Sequence, residues 1–198
     1  MNLWQPTSTA YTFQSPREPV PLTLTMQHCR AVADDEDDLI RTYIAAARGM
    51  VEHDTGLCLI ERHARYQFQH WPDRVIELPL WPVQSITAIR YIDDESDSNE
   101  IDDADYLAHT DARPAAIHRL TDNWPDIVAH RPDAVTIELV AGFDNQSNFP
   151  PDQARQAILM LTAHWYKNRE SAVIGTTSGD VAMAYDRLVE SLKLRRYP

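Results

Sequence analysis

The spacing of apolar residues changes twice along this chain, and these changes limit the folds it can adopt. Between residues 39 and 51 apolar side chains recur every three or four positions, which indicates one face of a helix. From residue 57 to 140 short alternating runs, such as 85–91, predict strands. A helical spacing returns at 154–165. The sequence therefore predicts an α+β fold that is mainly helical, with a small antiparallel β-sheet or hairpins between N-terminal and C-terminal helices.

Five consecutive acidic residues, 34–38, precede the first strong helical pattern. A helix dipole favours negative charge at the N-terminal end, so these acids fit a helix start. An EF-hand calcium loop would need alternating ligands, a central glycine and a final glutamate, and the segment has none of these. Gly56 fits the C-terminal cap of the same helix, and Pro151 suits the first turn of a later one.

Three regions of the chain differ in composition. Residues 1–20 are predicted to form an extended N-terminal arm, because they are polar and end in closely spaced prolines. Residues 21–170 hold the periodic segments and are predicted to form the core domain. Residues 171–198 are predicted to be a flexible, glycine-containing linker followed by a C-terminal helix. The start of the chain lacks the pattern of a signal peptide, and no apolar run is long enough for a transmembrane helix.

The charge balance narrows the possible partners. The net charge is −12, from 30 acidic and 18 basic residues. A protein that binds nucleic acid without sequence preference needs Lys and Arg to displace counterions from phosphates, so the charge balance disfavours tight wrapping of DNA. The acidic balance is compatible with a channel through which DNA slides. On composition alone, the favoured interpretation is that the acidic surface simply keeps the protein soluble.

No motif predicts catalytic, cofactor-binding or metal-binding residues, and we predict that the chain is not an enzyme. The sequence has no H-E-x-x-H, G-x-S-x-G or nucleotide-binding glycine motif, and the 175–179 segment lacks the lysine of a phosphate loop. Cys29 and Cys58 lie among several histidines, but their spacing matches no familiar zinc pattern. Both cysteines are predicted to be reduced and buried.

Three tryptophans, Trp71, Trp81 and Trp124, directly precede prolines. The residue before proline favours extended conformations, so these pairs mark strand edges and turns that carry a large apolar anchor. The sequence leaves open which of the three peptide bonds is cis. Stacking of these rings on bases is disfavoured, because Lys and Arg are not interleaved with them.

An ordered set of short segments gives a more specific indication. These are Pro21–Leu24, Asp37–Ile40, Tyr43–Arg48, Val51–Glu52, Thr55–Gly56, Leu78–Ile86, Asp105–Tyr106, Trp124–Pro125, Val140–Phe143, Pro150–Asp152, Ala157–Leu161 and His164–Glu170. Together they resemble the head–tail connector (adaptor) proteins of lambda-like and related tailed siphophages. Phage-derived gene transfer agents carry similar proteins. The resemblance covers about residues 20–196, while the arm at 1–19 and the acidic hairpin at 93–103 are longer than the family's minimal form.

The resemblance implies a structural role at the particle neck. A connector forms a dodecameric ring beneath the portal protein, although the free subunit can be a monomer, and it joins the head to stopper or tail proteins. DNA passes through the lumen without specific binding, and the family uses no cofactor, catalytic residue or membrane. Such a protein is located in the virion or virus-like particle and is assembled in the host cytoplasm.

The resemblance also implies that the C-terminal segment docks on the portal. A basic cluster there, on an otherwise acidic chain, suits an acidic partner surface. The same bases would also complement the dipole at a helix C-terminus, and both interpretations stand. The predicted portal-docking residues are Leu188, Leu192, Lys193, Arg195, Arg196 and Tyr197.

Other classes make different predictions. A neck stopper or tail-completion protein is the nearest alternative within the structural class. A small-molecule-binding or enzymatic α+β domain would have a closed pocket with convergent polar groups and perturbed pKa values. A DNA-binding regulator would need a basic face, which the sequence supplies only near the C-terminus.

Overall fold

The protein is represented by a computed structural model, which describes residues 6–12, 17–31, 36–72, 74–168 and 179–193. The chain forms two compact units, each built from two separate stretches of sequence. Unit 1 comprises Met1–Pro16 and Glu61–Gly142, and unit 2 comprises Arg17–Ile60 and Phe143–Pro198. The division that the sequence suggested, into an arm at 1–20, a core domain at 21–170 and a linker with a C-terminal helix at 171–198, stays a prediction.

Unit 1 contains a five-stranded antiparallel sheet in the order β1-β2-β8-β4-β5. Alternation along the strands gives it one buried side: in β2, Ala64, Tyr66 and Phe68 are buried while Arg65 is exposed. The predicted strand pattern at 85–91 is confirmed as part of a longer strand. The strands are β1 (Ser8–Thr12), β2 (Arg62–Phe68), β4 (Val83–Ile92), β5 (Ser98–Glu100) and β8 (Val135–Ala141).

A second antiparallel sheet in unit 1 has the order β3-β7-β6. Its strands are β3 (Val75–Glu77), β6 (Tyr106–His109) and β7 (Ala116–Arg119). Ile76 and Ile117 oppose each other across β3 and β7, and both are fully buried. This pair belongs to the hydrophobic core of unit 1, while Val75, Glu77 and Leu107 are exposed on the other side of the small sheet.

Unit 2 is a bundle of four helices, α1 (Leu22–Cys29), α2 (Asp37–Thr55), α3 (Asp152–Lys167) and α4 (Gly179–Glu190). Helices α2 and α3 each contact the other three. The apolar spacing in the sequence correctly identified the core face of α2, since Ile40, Ile44, Ala47 and Val51 are buried there. Burial of such faces, at about 25 cal/mol per Å² of apolar surface, is the main force that holds short helices together.

The predicted helix ends are also found. Gly56 has φ of 70° in the left-handed region, which favours glycine, and its N–H donates to the Glu52 carbonyl at 2.9 Å. At the other end, Asp37 and Asp38 occupy the first turn of α2, where the dipole favours negative charge. Pro151 is the residue that immediately precedes α3.

The prediction of a mainly helical protein with a small central sheet is wrong. Over the described ranges the chain is 34% helix and 27% strand, arranged as two sheets and four helices. The α+β class is right, but β1 precedes every helix and forms the edge of the larger sheet. All five residues of β1 are exposed, so the strand has no apolar alternation, and only its backbone pairing with β2 defines it.

Three further sequence predictions concern the two cysteines, the Trp–Pro peptide bonds and the possibility of a membrane-spanning helix. The burial predicted for Cys29 and Cys58 is confirmed, and both side chains are thiols. Burial raises the pKa of the Cys29 thiol, although the charge of Lys167 opposes this effect. The cis bond among the three Trp–Pro pairs is Trp81–Pro82. Among the helices that the structure describes, none has the length and apolar character required to cross a bilayer.

Candidate assembly surfaces

The C-terminal helix α4 is anchored to the helical bundle by a stripe of side chains. Tyr185, Val189 and Leu192 are buried, with spacings of four and three residues. The Tyr185 hydroxyl donates a hydrogen bond to Oδ2 of Asp54 in α2 at 2.7 Å. Burial raises the pKa of Tyr185, and the Asp54 carboxylate raises it further, so this hydroxyl stays protonated as a donor.

The predicted portal-docking residues are in different environments. Leu188 is half-buried, and Leu192, only 8% exposed, belongs to the core of unit 2. Lys193 is exposed and its Nζ lies 3.1 Å from Oε2 of Glu190. The remaining three predicted residues, Arg195, Arg196 and Tyr197, lie outside the described residues. Their role in docking stays a prediction.

The solvent side of α4 adds a residue that sequence inspection missed. Met183 is 58% exposed, which is high for a large apolar side chain. It precedes the basic Arg187 by one helical turn, and Arg187 is exposed as well. The signal was available in the sequence, because Met183 falls outside the apolar spacing of Tyr185, Val189 and Leu192.

A half-buried ion-pair network ties the start of unit 2 to α2. Arg48 Nε donates to Oε2 of Glu18 at 2.8 Å, and Arg48 Nη1 donates to Oε2 of Glu52 at 3.1 Å. The other oxygen of Glu52 accepts from the Leu59 N–H at 2.7 Å. Arg48 thus connects the segment before α1 to α2, and its partner Glu52 connects α2 to the segment that follows.

The loop that leads into α3 is held by two neighbouring polar side chains. Oδ1 of Asp144 accepts hydrogen bonds from three backbone N–H groups, those of residues 146, 147 and 148. A hydrogen bond from the Ser147 hydroxyl, followed by these backbone bonds, lowers the pKa of Asp144 well below its usual range. Asn145, in the left-handed region at φ of 55°, donates through Nδ2 to the carbonyls of Arg17 and Leu59.

The exposed side of the five-stranded sheet in unit 1 carries a second charge network. Oε1 of Glu138 accepts from Arg65 Nε at 2.7 Å, and its Oε2 accepts from Arg90 Nη1 at 2.6 Å. Arg90 Nε also donates to Glu100 Oε2 at 3.1 Å. Two arginines and two glutamates therefore balance each other on this side of a chain whose net charge is −12.

Two open depressions, of about 330 and 190 Å³, lie on the same side of the sheet. Arg65 and Glu138 line both of them. Burial would raise the pKa of Glu138, but the hydrogen bonds and charges of Arg90 and Arg65 lower it below its usual range. A carboxylate held in this way keeps its charge near neutral pH and is poorly suited to accept a proton in catalysis.

The described residues contain no group of three or more His, Cys, Asp or Glu side chains that could hold a metal ion. The histidines and cysteines considered for zinc at the sequence level are therefore not brought together within this part of the chain.

The acidic segment after β4 forms the predicted hairpin tip. Asp93 organises the turn: its Oδ1 accepts from the backbone N–H groups of Glu95 and Asp97, and its Oδ2 accepts from Asn99 Nδ2 at 2.7 Å. Ser96 has φ of 69° within the turn. Asp94, Glu95 and Asp97 are exposed, so the hairpin places a concentrated negative charge at one end of β4 and β5.

Two of the Trp–Pro tryptophans pack on each other. Trp71 and Trp124 are stacked with 4.5 Å between ring centroids and 11° between planes, and both are half-buried. Trp71 Nε1 donates to the Pro125 carbonyl at 2.9 Å, and the Arg119 guanidinium lies over Trp124. One face of each ring is therefore occupied by the other ring, which agrees with the anchoring role rather than with stacking on bases.

Comparison with known proteins gives structural neighbours only. No family model matches the chain, and no curated protein sequence matches it. A chain from the neck of an empty gene transfer agent (GTA) particle, computed with C6 symmetry, superposes with a TM-score of 0.76 at 25% identity. That match covers 96% of this chain and 97% of the neighbour.

Two further neighbours come from the same kind of particle. A chain from the virion of a native GTA particle has a TM-score of 0.75 at 25% identity, with 96% and 97% of the two chains covered. A chain from the neck of a native GTA particle, computed with C12 symmetry, has a TM-score of 0.67 at 25% identity, with 93% and 98% covered. These neighbours are structural components of particles.

The fold and its neighbours together define a structural protein of a particle neck. The resemblance found in the sequence is confirmed: over nearly its whole length, the chain is similar to components of gene transfer agent necks. Its place is accordingly in a virion or phage-derived particle.

Proposed function

We propose that this protein is the head–tail adaptor subunit: a ring of about twelve copies beneath the portal that joins the head to the stopper and tail. The observation that carries the proposal is a near-complete match, over 93–96% of this chain, to subunits of GTA necks computed with C6 and C12 symmetry. A closed ring gives every subunit the same two neighbours, as cyclic symmetry requires.

The portal contact is proposed to involve the end of α4 and the residues that follow it. Lys193 is exposed, and Arg195 and Arg196 follow it in the sequence. Because Val189 and Leu192 are buried in unit 2, the chain is anchored directly before Lys193. Rim charges of this kind mainly steer encounter and select the partner.

The first experiment is mass photometry of the pure full-length protein with and without purified portal. A ring, or a saturating complex with the portal, is the expected result. A monomer that ignores the portal would refute the adaptor role. The portal contact is tested with the triple variant Lys193→Glu, Arg195→Glu and Arg196→Glu, which should lose portal binding while it keeps its fold.

A matched control reverses three exposed bases elsewhere in unit 2, namely Arg30, Arg41 and Lys167. This control changes the net charge by the same amount and should bind the portal like the wild type. Equal loss in both variants would mean that overall charge, and not the C-terminal end, determines the contact. Unchanged binding by the C-terminal variant would refute the assigned docking site.

The acidic balance of the chain fits a lumen that DNA crosses without binding. Each subunit adds a net charge of −12, and acids that face the lumen would repel phosphate and let the duplex slide. Replacing exposed acids with lysine, beginning with Asp94, Glu95 and Asp97 at the hairpin tip, should slow DNA ejection from assembled particles. Ejection at the wild-type rate, with DNA release measured by a fluorescent dye, would argue against this role for the acids.

A further inference from the structure

The three-stranded sheet of unit 1 has several exposed side chains on one of its two sides. Opposed residues in antiparallel strands point to the same side, and successive residues alternate. Because Ile76 and Ile117 are buried on one side, the residues next to them point to the other. We define the small-sheet face as the residues on that other side, of which Ala116 is buried and His118 half-buried: Val75, Glu77, Leu107, His109, Ala116, His118 and Leu120.

Apolar side chains are unusually exposed on the small-sheet face. Val75 is 41% exposed, Leu107 47% and Leu120 58%, and these are three of the seven large hydrophobic side chains that are exposed in the described part of the chain. Val75 and Leu107 both oppose His118, one from each neighbouring strand. Leu120 extends the ladder, because its N–H donates to the Asp105 carbonyl at 2.9 Å.

The small-sheet face also contains two histidines, His109 and His118. The rings of His109 and His118 lie 4.8 Å apart between centroids, tilted by 50°. With histidines counted as neutral, Glu77 is the one charged member of the small-sheet face. A contiguous, weakly charged apolar patch on a chain of net charge −12 is a typical mark of a protein contact.

The cyclic symmetry of the structural neighbours favours a second copy of the chain as the partner. Two copies that each carry −12 repel, and the repulsion is smallest where the surfaces in contact carry little charge. The size of the patch argues against an isolated dimer. Three partly exposed side chains offer far less than the roughly 800 Å² per partner of a stable interface, so the contact suits a closed ring in which each subunit has two neighbours.

We infer that the small-sheet face is a contact between neighbouring copies in the ring, an inference that rests on the proposed adaptor function. In a ring the contact is head-to-tail, so the small-sheet face of one copy meets a different surface of the next. The free protein then stays monomeric, and the contact forms when the portal brings the copies side by side.

The inference is tested by the variant Leu107→Glu in the full-length protein, mixed with purified portal and viewed by negative-stain electron microscopy. A glutamate at this position would have to lose its hydration in the contact, so closed rings should become about tenfold fewer while single copies still bind the portal. The matched control is Leu24→Glu, which adds the same charge at a 36% exposed leucine of α1 and should leave ring formation unchanged.

Each outcome has a defined meaning. If the wild type forms no ring on the portal, the adaptor function fails, and this inference fails with it. If the wild type and Leu107→Glu form rings equally well, the inference is refuted and the adaptor function stands. If circular dichroism shows that Leu107→Glu is unfolded, photo-crosslinking from benzoylphenylalanine at position 107 decides: crosslinks between copies support the inference, and crosslinks to the portal alone or none refute it.

Discussion

Replacing Arg48 with methionine tests whether the ion-pair network holds unit 2 together. The arginine side chain is 17% exposed, and its partners Glu18 and Glu52 are 30% and 14% exposed. Methionine keeps the unbranched stem and much of the apolar packing, and it removes both charge-assisted hydrogen bonds. The variant therefore isolates the electrostatic contribution of the guanidinium group.

The expected loss lies between the values for exposed and buried ion pairs. Exposed pairs contribute about 0–1 kcal/mol, and breaking a buried pair costs about 3–5 kcal/mol. The partial burial of all three side chains, together with two like-charged glutamates left near each other, gives an expected loss of about 2 kcal/mol. For a chain of this size, that loss lowers Tm by about 4–8 °C.

Denaturant unfolding followed by circular dichroism measures the change in the free energy of unfolding. A double-mutant cycle with Glu18→Gln should give a coupling energy of about 1 kcal/mol between Arg48 and Glu18. The matched control is Arg131→Met, because Arg131 forms an ion pair with Asp133 at 2.7 Å in which both side chains are substantially exposed. If Arg48→Met is no more destabilising than this control, the network does not hold unit 2 together.

Three other predictions concern single hydrogen-bonded groups. Tyr185→Phe removes the bond to Asp54 and should cost about 1 kcal/mol, seen as faster hydrogen exchange in α4; unchanged exchange would contradict the anchoring of α4. Burial and the hydrogen bond to Asp103 raise the pKa of Tyr106 to about 12, so its stabilising contribution, complete below pH 10.0, should be lost as the pH rises towards 12. Tyr106→Phe should reduce that alkaline loss of unfolding free energy, and an identical pH profile would refute the assignment. The lowered pKa of Asp144 means that its contribution is present above pH 3.8 and is lost on further acidification. Asp144→Asn should therefore show a smaller acid-induced decrease in stability than the wild type when both are unfolded in urea across this range, and equal decreases would count against it.

The helices of unit 2 could be read from the sequence because each has its own buried face. The spacing of Ile40, Ile44 and Val51 is a property of one segment, and burial of that face is what stabilises the helix. The left-handed cap at Gly56 is equally local, since the absence of a side chain allows the positive φ. The burial of Cys29 and Cys58 follows from their apolar character in the same way.

The errors arose where structure depends on partners distant in sequence. Strand β1 has no buried face, and it exists because its backbone pairs with β2, more than fifty residues later. Pairings of this kind join the strands of the described ranges into two sheets, and the protein is less helical than predicted. Local periodicity reports which residues of a segment are buried, and it carries no information about which backbone will supply the missing hydrogen bonds.

The proposed assembly surfaces also depend partly on residue identity and partly on contacts between distant segments. The sequence by itself determined the acidic balance, the basic C-terminal end and the resemblance to neck connectors, because these depend on residue identity and order. Only the tertiary structure placed Leu192 in a core, joined Tyr185 to Asp54 across 131 positions and left Leu107 exposed beside His118. Whether an apolar side chain is buried depends on what packs against its side of the sheet or helix, and that is decided by contacts between segments far apart in the chain.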